Sequence, residues 1–358
     1  MRWHRFLLVC AVLLAAVFSL VGMSNRVKAA PTAPAASYSA PREGAKVTLA
    51  DNSIDGPALA TTYSPATVLA WTGTDPAHHL NLMTSSDGLH YGNKLVLQET
   101  SPWRPAVAFI DSGRGAPYGT IVIAWTGSDS AHTLNLAFIS TPSYTVVQKI
   151  TYWGDTSFTA PGLTTVNFDL YSNVYLAWSG NDGAHSLNVI NHTTQGNTNH
   201  KVTLWGWTSI SRPNLATDHS GTGSLPLIMS WLGSDNHLYF ATSPDGQTWS
   251  KQPRLSQMSA WAPTMIGLYS YSTMPDHWVA WTGSGSTSSR AINVMYTQHF
   301  PSWNDPGASA ALNEYAYAGP ALTYNGYYNG GGKQVLIAWT GLDAGHSLNV
   351  AVVYVTAG

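Results

Sequence analysis

The chain is poor in cysteine and in charge. It has one cysteine in 358 residues, Cys10, which lies in the apolar N-terminal segment. The rest of the chain has no thiol, which excludes disulfides and thiol chemistry there. Charged residues make up only 9% of the sequence. They form no basic stripe, so we expect no nucleic-acid partner.

Helical periodicity and long apolar runs are also scarce. The single long apolar run, Phe6 to Met23, follows Arg2 and Arg5 and precedes a small-x-small site that ends at Ala29. This order predicts a secretory signal over residues 1–29 and a secreted protein. The run has 18 residues, the lower limit for a membrane span, so an uncleaved membrane anchor is the alternative.

Residues 30–45 are rich in Pro, Ala and Ser and predict a linker. Beyond the linker, a small-Trp-small-Gly motif recurs six times, with steps of 50 to 58 residues between its tryptophans: Trp71, Trp125, Trp178, Trp231, Trp281 and Trp339. A fixed period of this length indicates one supersecondary unit copied and packed against its neighbours.

Each unit reads as four short strands. A β-branched run precedes the tryptophan, a strand that usually opens with Leu-Asn follows it, a third strand opens with Lys or Arg, and a proline starts the fourth. We therefore predict an all-β, six-bladed β-propeller over residues 46–358, with four-stranded blades. The last unit lacks its outer strand, so we expect Lys46–Ala50 to pair with Val350–Thr356 and close the ring.

The loop after each tryptophan carries a second repeat. Asp follows the tryptophan by four residues in five units, for example at Asp129, and His follows it by seven in four units, for example at His132. One hypothesis is a ring of sites for sugar hydroxyls or a metal. The other is a hydrogen-bond network repeated in each blade. We favour the second, because one Asp and one His are too few ligands for a metal site.

Aromatic side chains stand in the turns that join the blades. Trp103 and Trp261 precede the inner-strand proline, as do Phe158, Tyr315 and Tyr317. Sugars bind on exposed aromatic faces, so Trp103 and Trp261 are candidate ligand-binding residues. The alternative is that these rings wedge between the blades as core.

The fifth unit departs from the repeat. Its loop lacks the Asp/His pair and ends at Arg290, and the next joining turn contains Glu314, Tyr315 and Tyr317. Departures from a repeat tend to mark function. We therefore name these four residues as a candidate ligand site, and Glu314, Tyr315 and Tyr317 as candidate catalytic residues.

Two turns resemble a motif of a known family. We expect them on the face of the propeller opposite the turns that join the blades. Ser243-Pro-Asp245-Gly246-Gln-Thr248-Trp249 resembles the Asp-box of sialidase-like propellers, and Ser85-Ser-Asp87-Gly88-Leu-His-Tyr91 is a weaker copy. The Trp-Thr-Gly-x-Asp repeat also looks like that of bacterial secreted proteins labelled sialidase-like. The resemblance implies that Asp87 and Asp245 are structural turn residues.

The resemblance also implies a sialidase site, with a Tyr nucleophile helped by a Glu, an Asp acid/base and three arginines on the substrate carboxylate. Asp55-Gly56-Pro57 stands where that family has its first Arg-Ile-Pro. Arg104-Pro105 and Arg212-Pro213 resemble the dipeptide but fall in later units. From these residues we do not assemble the family's full set of a tyrosine, a glutamate and three arginines.

The sequence therefore predicts a secreted carbohydrate-binding propeller without catalytic activity. A divergent sialidase-like glycoside hydrolase is the first alternative, and an extracellular protein-interaction scaffold is the second. We expect a glycan or polysaccharide ligand, no cofactor, no metal and a monomeric state.

Overall fold

The structure is a computed structural model. It describes residues 38–356 apart from 62–65, 112–118, 142, 168–171, 194–195, 219–226, 269–275, 286–289, 299, 302–308 and 325–332. The predicted signal segment and the first part of the predicted linker lie outside these residues. Among the described segments, none is a helix of the length and hydropathy needed to cross a membrane.

Six four-stranded antiparallel sheets form the blades of a propeller, as predicted. Each of the first three blades runs outward from its inner strand. Blade 1 has β2 (Ala58–Thr61), β3 (Thr67–Thr72), β4 (His79–Ser85) and β5 (Gly92–Thr100); blade 2 has β6 (Ala106–Ile110), β7 (Thr120–Thr126), β8 (Thr133–Ser140) and β9 (Thr145–Thr156); blade 3 has β10 (Gly162–Asn167), β11 (Ser172–Ser179), β12 (Ser186–Thr193) and β13 (Gly196–Thr208).

The other three blades follow the same plan, except that the last one takes its outer strand from the start of the domain. Blade 4 has β14 (Asn214–Thr217), β15 (Leu227–Leu232), β16 (Leu238–Ser243) and β17 (Ser250–Gln252); blade 5 has β18 (Thr264–Leu268), β19 (Asp276–Thr282), β20 (Ala291–Thr297) and β21 (Ser309–Tyr315); blade 6 has β22 (Ala321–Tyr324), β23 (Lys333–Thr340), β24 (Ser347–Val355) and β1 (Arg42–Asn52).

The N-terminal strand closes the ring. β1 pairs antiparallel with β24, with Lys46 opposite Ala351 and Val47 opposite Val350. This confirms the predicted pairing. β1 begins at Arg42, so the last four residues of the predicted linker belong to the strand. The inner strands contact one another in ring order, and β22 contacts β2.

The repeated tryptophans fill the spaces between blades. Trp125 of β7 is 1% exposed and packs with Val68, Leu80 and Leu97 of blade 1. Each of the other five packs in the same way against the blade before its own. The sequence period therefore corresponds to the inter-blade core.

A lysine covers the motif tryptophan in five blades of the described structure, and in four of them the lysine is also paired with an acid of the preceding blade. Lys149 Nζ lies 5.4 Å from the Trp125 ring centroid and 2.6 Å from Glu99 Oε2 of the preceding blade. Three further lysines repeat this arrangement with Asp51, Asp155 and Glu314: Lys94, Lys201 and Lys46. The cation–π contact and the ion pair together tie adjacent outer strands.

Candidate functional site

The loop aspartates hold their own loops. Both carboxylate oxygens of Asp129 accept the backbone N–H of Thr133 at 3.2 Å, and one of them accepts the N–H of Ala131 at 3.0 Å. The same bonds recur at Asp75 and Asp343, and at Asp182 through Oδ1 alone. A Cβ on Gly73 would lie 2.7 Å from Asp75 Oδ2, which explains the glycine of the motif. The contacts support the structural interpretation.

The repeated histidines shape the same loops through their backbone. His132 has a φ of 57°, in the left-handed region, and its carbonyl accepts the N–H of Ser157 in the next joining turn. His78, His185 and His346 do the same. The histidine therefore contacts the serine through its carbonyl rather than its ring. Among the described residues, no cluster of three or more His, Cys, Asp or Glu is placed to hold a metal.

We expect Asp129→Ala to lower the free energy of unfolding by about 1 kcal/mol at pH 7. Burial tends to raise the pKa of the Asp129 carboxyl, but hydrogen bonds from Thr133 outweigh it and leave the pKa below its usual value. The stabilisation is therefore present above pH about 4 and is lost as the pH falls through the folded pKa.

Urea unfolding of wild type, Asp129→Ala and the loop control Ser130→Ala at pH 7 and pH 3 measures both effects. The difference between wild type and Asp129→Ala should narrow at pH 3. Equal stability of these two proteins at pH 7 would refute the structural role.

The two turns on the opposite face are built on Asp245 and Asp87. Asp245 Oδ1 accepts the N–H groups of Gln247 at 2.8 Å and Thr248 at 2.7 Å. Asp87 Oδ1 makes the equivalent bonds to Leu89 and His90. Both carboxylates are thus engaged inside their own turns.

The four candidate residues of the fifth unit do not form one cluster. Glu314 lies on β21 and forms an ion pair with Lys46 of β1, rather than with Arg290. Arg290 Nη1 donates to the Tyr317 carbonyl at 3.3 Å, and the Tyr317 ring stacks on His346 with centroids 3.9 Å apart. Tyr315 is 43% exposed at the end of the outer strand. The structure therefore brings Arg290 and Tyr317 together and places Glu314 in the repeated lysine–acid arrangement.

Trp103 and Trp261 lie half-buried in their joining turns. The Trp103 ring meets His132 edge-on with centroids 4.8 Å apart. Trp261 Nε1 is buried and has no hydrogen-bond partner among the described residues. Each of these two turns ends at the residue before the inner-strand proline.

A cavity of about 660 Å³ runs along the propeller axis. The inner strands of all six blades line it, mostly with alanine, leucine and threonine side chains. One mouth of the cavity lies on the face of the propeller that carries the turns joining the blades. The residue before each inner-strand proline stands at this mouth. This residue is small in four blades and an arginine in two: Gly56, Arg104, Ala160, Arg212, Ala262 and Gly319.

Arg104 reaches across the mouth. Its Nη1 donates to the Gly319 carbonyl of blade 6 at 2.5 Å. A Cβ on Gly56 would collide with the Arg104 guanidinium, so the small residue makes room for it. Arg104 is 2% exposed, and its Nε is buried without a hydrogen-bond partner.

Arg212 faces the same cavity and is 7% exposed. Among the residues that the structure describes, nothing accepts a hydrogen bond from its guanidinium. Burial lowers its pKa to about 10, partly offset by the charge of Asp55. The pKa of Arg104 is lowered by burial and by the charge of Arg212. Two repelling, poorly solvated cations therefore share one cavity mouth.

Asp55 neutralises only part of this charge. Its carboxylate oxygens accept the N–H of Gly56 at 2.6 Å and the N–H of Arg104 at 3.0 Å. With two arginines and one aspartate among the described residues, the mouth carries a net positive charge, and Arg104 Nε has no hydrogen-bond partner there. This arrangement is suited to an anion.

The equivalence of Arg104 and Arg212 is visible in the sequence. Arg104-Pro105 and Arg212-Pro213 stand at equivalent turn positions in blades 2 and 4. Aligning the six turns at their prolines places both arginines in one ring around the axis. The two arginines share one cavity mouth only because the six blades close into a ring.

No protein-family model and no curated protein sequence matches the chain. Solved structures match it in fold. A protein of unknown function from Dyadobacter fermentans has 10% identity and a TM-score of 0.58, over 89% of this chain and 100% of that one. A mutant of NanB sialidase from Streptococcus pneumoniae has 9% identity and a TM-score of 0.57, over 87% and 70%. The Aleuria aurantia lectin in complex with Fucα1-6GlcNAc has 10% identity and a TM-score of 0.55, over 85% and 92%.

Proposed function

We propose that this chain is a secreted carbohydrate-binding propeller that holds an acidic sugar at the mouth of its axial cavity. The observation that carries the proposal is the pair of buried arginines, Arg104 and Arg212, which line one cavity and repel each other. The shared fold with a sialidase and a fucose-binding lectin supports a carbohydrate ligand.

The chemistry of the mouth fits a carboxylated sugar. A guanidinium binds a carboxylate through two parallel hydrogen bonds, and a bound anion offsets the repulsion between Arg104 and Arg212. The half-buried rings of Trp103 and Trp261 flank the mouth and offer apolar faces to the sugar ring.

Binding without hydrolysis is the form of the proposal that the described contacts favour. Both carboxylate oxygens of Asp55 already accept backbone N–H groups. Glu314 lies on an outer strand and is paired with Lys46. A hydrolase acting at this cavity would therefore need an acid/base other than Glu314.

Arg212→Gln should weaken the binding of acidic sugars at least tenfold, which corresponds to about 1.4 kcal/mol. The reason is the loss of a charged donor that no described residue satisfies. The measurement is a glycan array with carboxylated and neutral sugars, followed by calorimetry on the best ligand. The matched control is Arg254→Gln, since Arg254 is exposed and paired with Asp235.

The melting temperature separates this role from a structural one. Because Arg212 is a buried cation without a hydrogen-bond partner among the described residues, Arg212→Gln should melt no lower than wild type. A lower melting temperature with unchanged sugar affinity would refute the proposal. Release of free sugar that Arg212→Gln abolishes would favour the hydrolase instead.

A further inference from the structure

Two tryptophans stand out on the outer strands. Trp153 of β9 is 85% exposed and Trp205 of β13 is 80% exposed. They occupy equivalent positions in adjacent blades, four residues after Lys149 and Lys201 respectively. A single exposed tryptophan is unremarkable, but equivalent ones on neighbouring blades form a repeated surface feature.

Both tryptophans sit in a bulge that turns them outward. In blade 2 the pairing steps from Thr133–Thr156 to Leu134–Tyr152, which leaves Trp153 without a residue opposite it. In blade 3 it steps from Ser186–Thr208 to Leu187–Leu204, with the same consequence for Trp205. Bulges of this kind re-aim side chains.

A glycine with positive φ follows each tryptophan and permits the bulge. Gly154 has a φ of 93° and Gly206 a φ of 78°, and a Cβ at either position would meet no atom within 4 Å. A side chain at either position would therefore have room, and it is the positive φ of the backbone that requires glycine. The outer strands of blades 2 and 3 share a device that exposes an indole.

The charges beside the two indoles are paired. Lys201 forms an ion pair with Asp155, and this pair links β13 to β9. Lys149 is paired with Glu99 of blade 1. Because Asp155 is two residues from Trp153 and Lys201 is four from Trp205, the indoles lie on neighbouring outer strands that this ion pair joins.

We propose that Trp153 and Trp205 form a second binding site, for an extended neutral polysaccharide that crosses the outer strands of blades 2 and 3. Each indole stacks on the apolar face of one sugar ring, and the polar side chains between them contact hydroxyls. The inference shares the carbohydrate class of the proposed function but uses none of its residues.

Neutrality selects this occupant over a membrane. Binding to anionic lipid depends on unpaired Lys or Arg near the surface, and the two lysines that precede the indoles, Lys149 and Lys201, are engaged with carboxylates. A neutral polymer needs flat aromatic platforms at intervals along its length, which the blade repeat supplies.

The test is a binding isotherm on insoluble cellulose and insoluble chitin, with affinity electrophoresis in mixed-linkage β-glucan. Trp153→Ala and Trp205→Ala should each weaken binding to at least one of these polymers about three- to tenfold, and the double variant should weaken it at least thirtyfold. The control Val147→Ala removes an exposed apolar side chain from β9 and should bind like wild type.

Arg212→Gln distinguishes the two sites, because it should leave polysaccharide binding unchanged whether or not the axial cavity binds an acidic sugar. Circular dichroism should show that every variant is folded, since both indoles are exposed. The inference is overturned if wild type binds none of the three polymers. It is also overturned if the double variant binds them as wild type does, or if wild type instead sediments with phosphatidylcholine–phosphatidylglycerol vesicles.

Discussion

A chain that begins at Ser53 should lose about 5 kcal/mol of stability relative to one that begins at Ala30, whereas a chain that begins at Tyr38 should lose almost none. Removing β1 takes the outer ladder from β24, lifts Lys46 from the Trp339 ring and withdraws Leu49 from the core between blades 6 and 1. The sum follows from usual net values for hydrogen bonds and apolar burial. It corresponds to a fall of about 10 °C or more in the melting temperature.

The experiment compares thermal unfolding of the three chains and then adds a peptide of residues 42–52. If β1 acts only by pairing, the peptide should raise the melting temperature of the chain that begins at Ser53. At 100 times its Kd it should restore about 2.7 kcal/mol. A scrambled peptide is the control. Equal melting of the chains that begin at Ser53 and at Ala30 would show that closure contributes nothing.

The architecture was predictable because one residue both marks the repeat and fills the core. Each motif tryptophan packs against the preceding blade. One tryptophan in the sequence therefore corresponds to one interface between blades. Closure was predictable for a related reason. The last unit was one strand short, and Lys46-Val-Thr-Leu-Ala50 matched Lys201-Val-Thr-Leu-Trp205.

Glu314 has a partner that local sequence reasoning does not identify. It looked distinctive because the joining turn around it lost its serine. Its partner, Lys46, is 268 positions away and reaches it only because β1 closes the ring. Asp51, Glu99 and Asp155 occupy the equivalent place near the end of the outer strand in three other blades. The recurrence of an acidic residue at this place is the signal that was missed.

The exposed tryptophans left a clearer trace. Lys149 and Lys201 stand eight residues before the serine of the joining turn, whereas Lys46 and Lys94 stand seven before it. The extra residue lengthens a bulge that the equivalent parts of β1 and β5 also contain. Spacing alone shows that blades 2 and 3 differ, but it does not show that the added residue turns an indole to solvent, since that depends on the backbone conformation of the following glycine.

Trp125→Ala should destabilise the protein by about 3–5 kcal/mol, and Trp153→Ala in the same blade by less than about 0.5 kcal/mol. Both substitutions remove the same atoms. Trp125 is 1% exposed and fills the space between blades 1 and 2, so its loss leaves a cavity that close-packed neighbours refill only in part. Trp153 is 85% exposed and its removal leaves no cavity.

Urea unfolding at pH 7 measures the pair, and Lys149→Met adds a second comparison. Lys149 lies over the Trp125 ring, so Lys149→Met should cost about 1 kcal/mol in wild type and less in the Trp125→Ala background. Additive effects would mean that the lysine does not act through the indole. If Trp125→Ala proved as mild as Trp153→Ala, the motif tryptophan would not be the inter-blade core, and the period would need another physical cause.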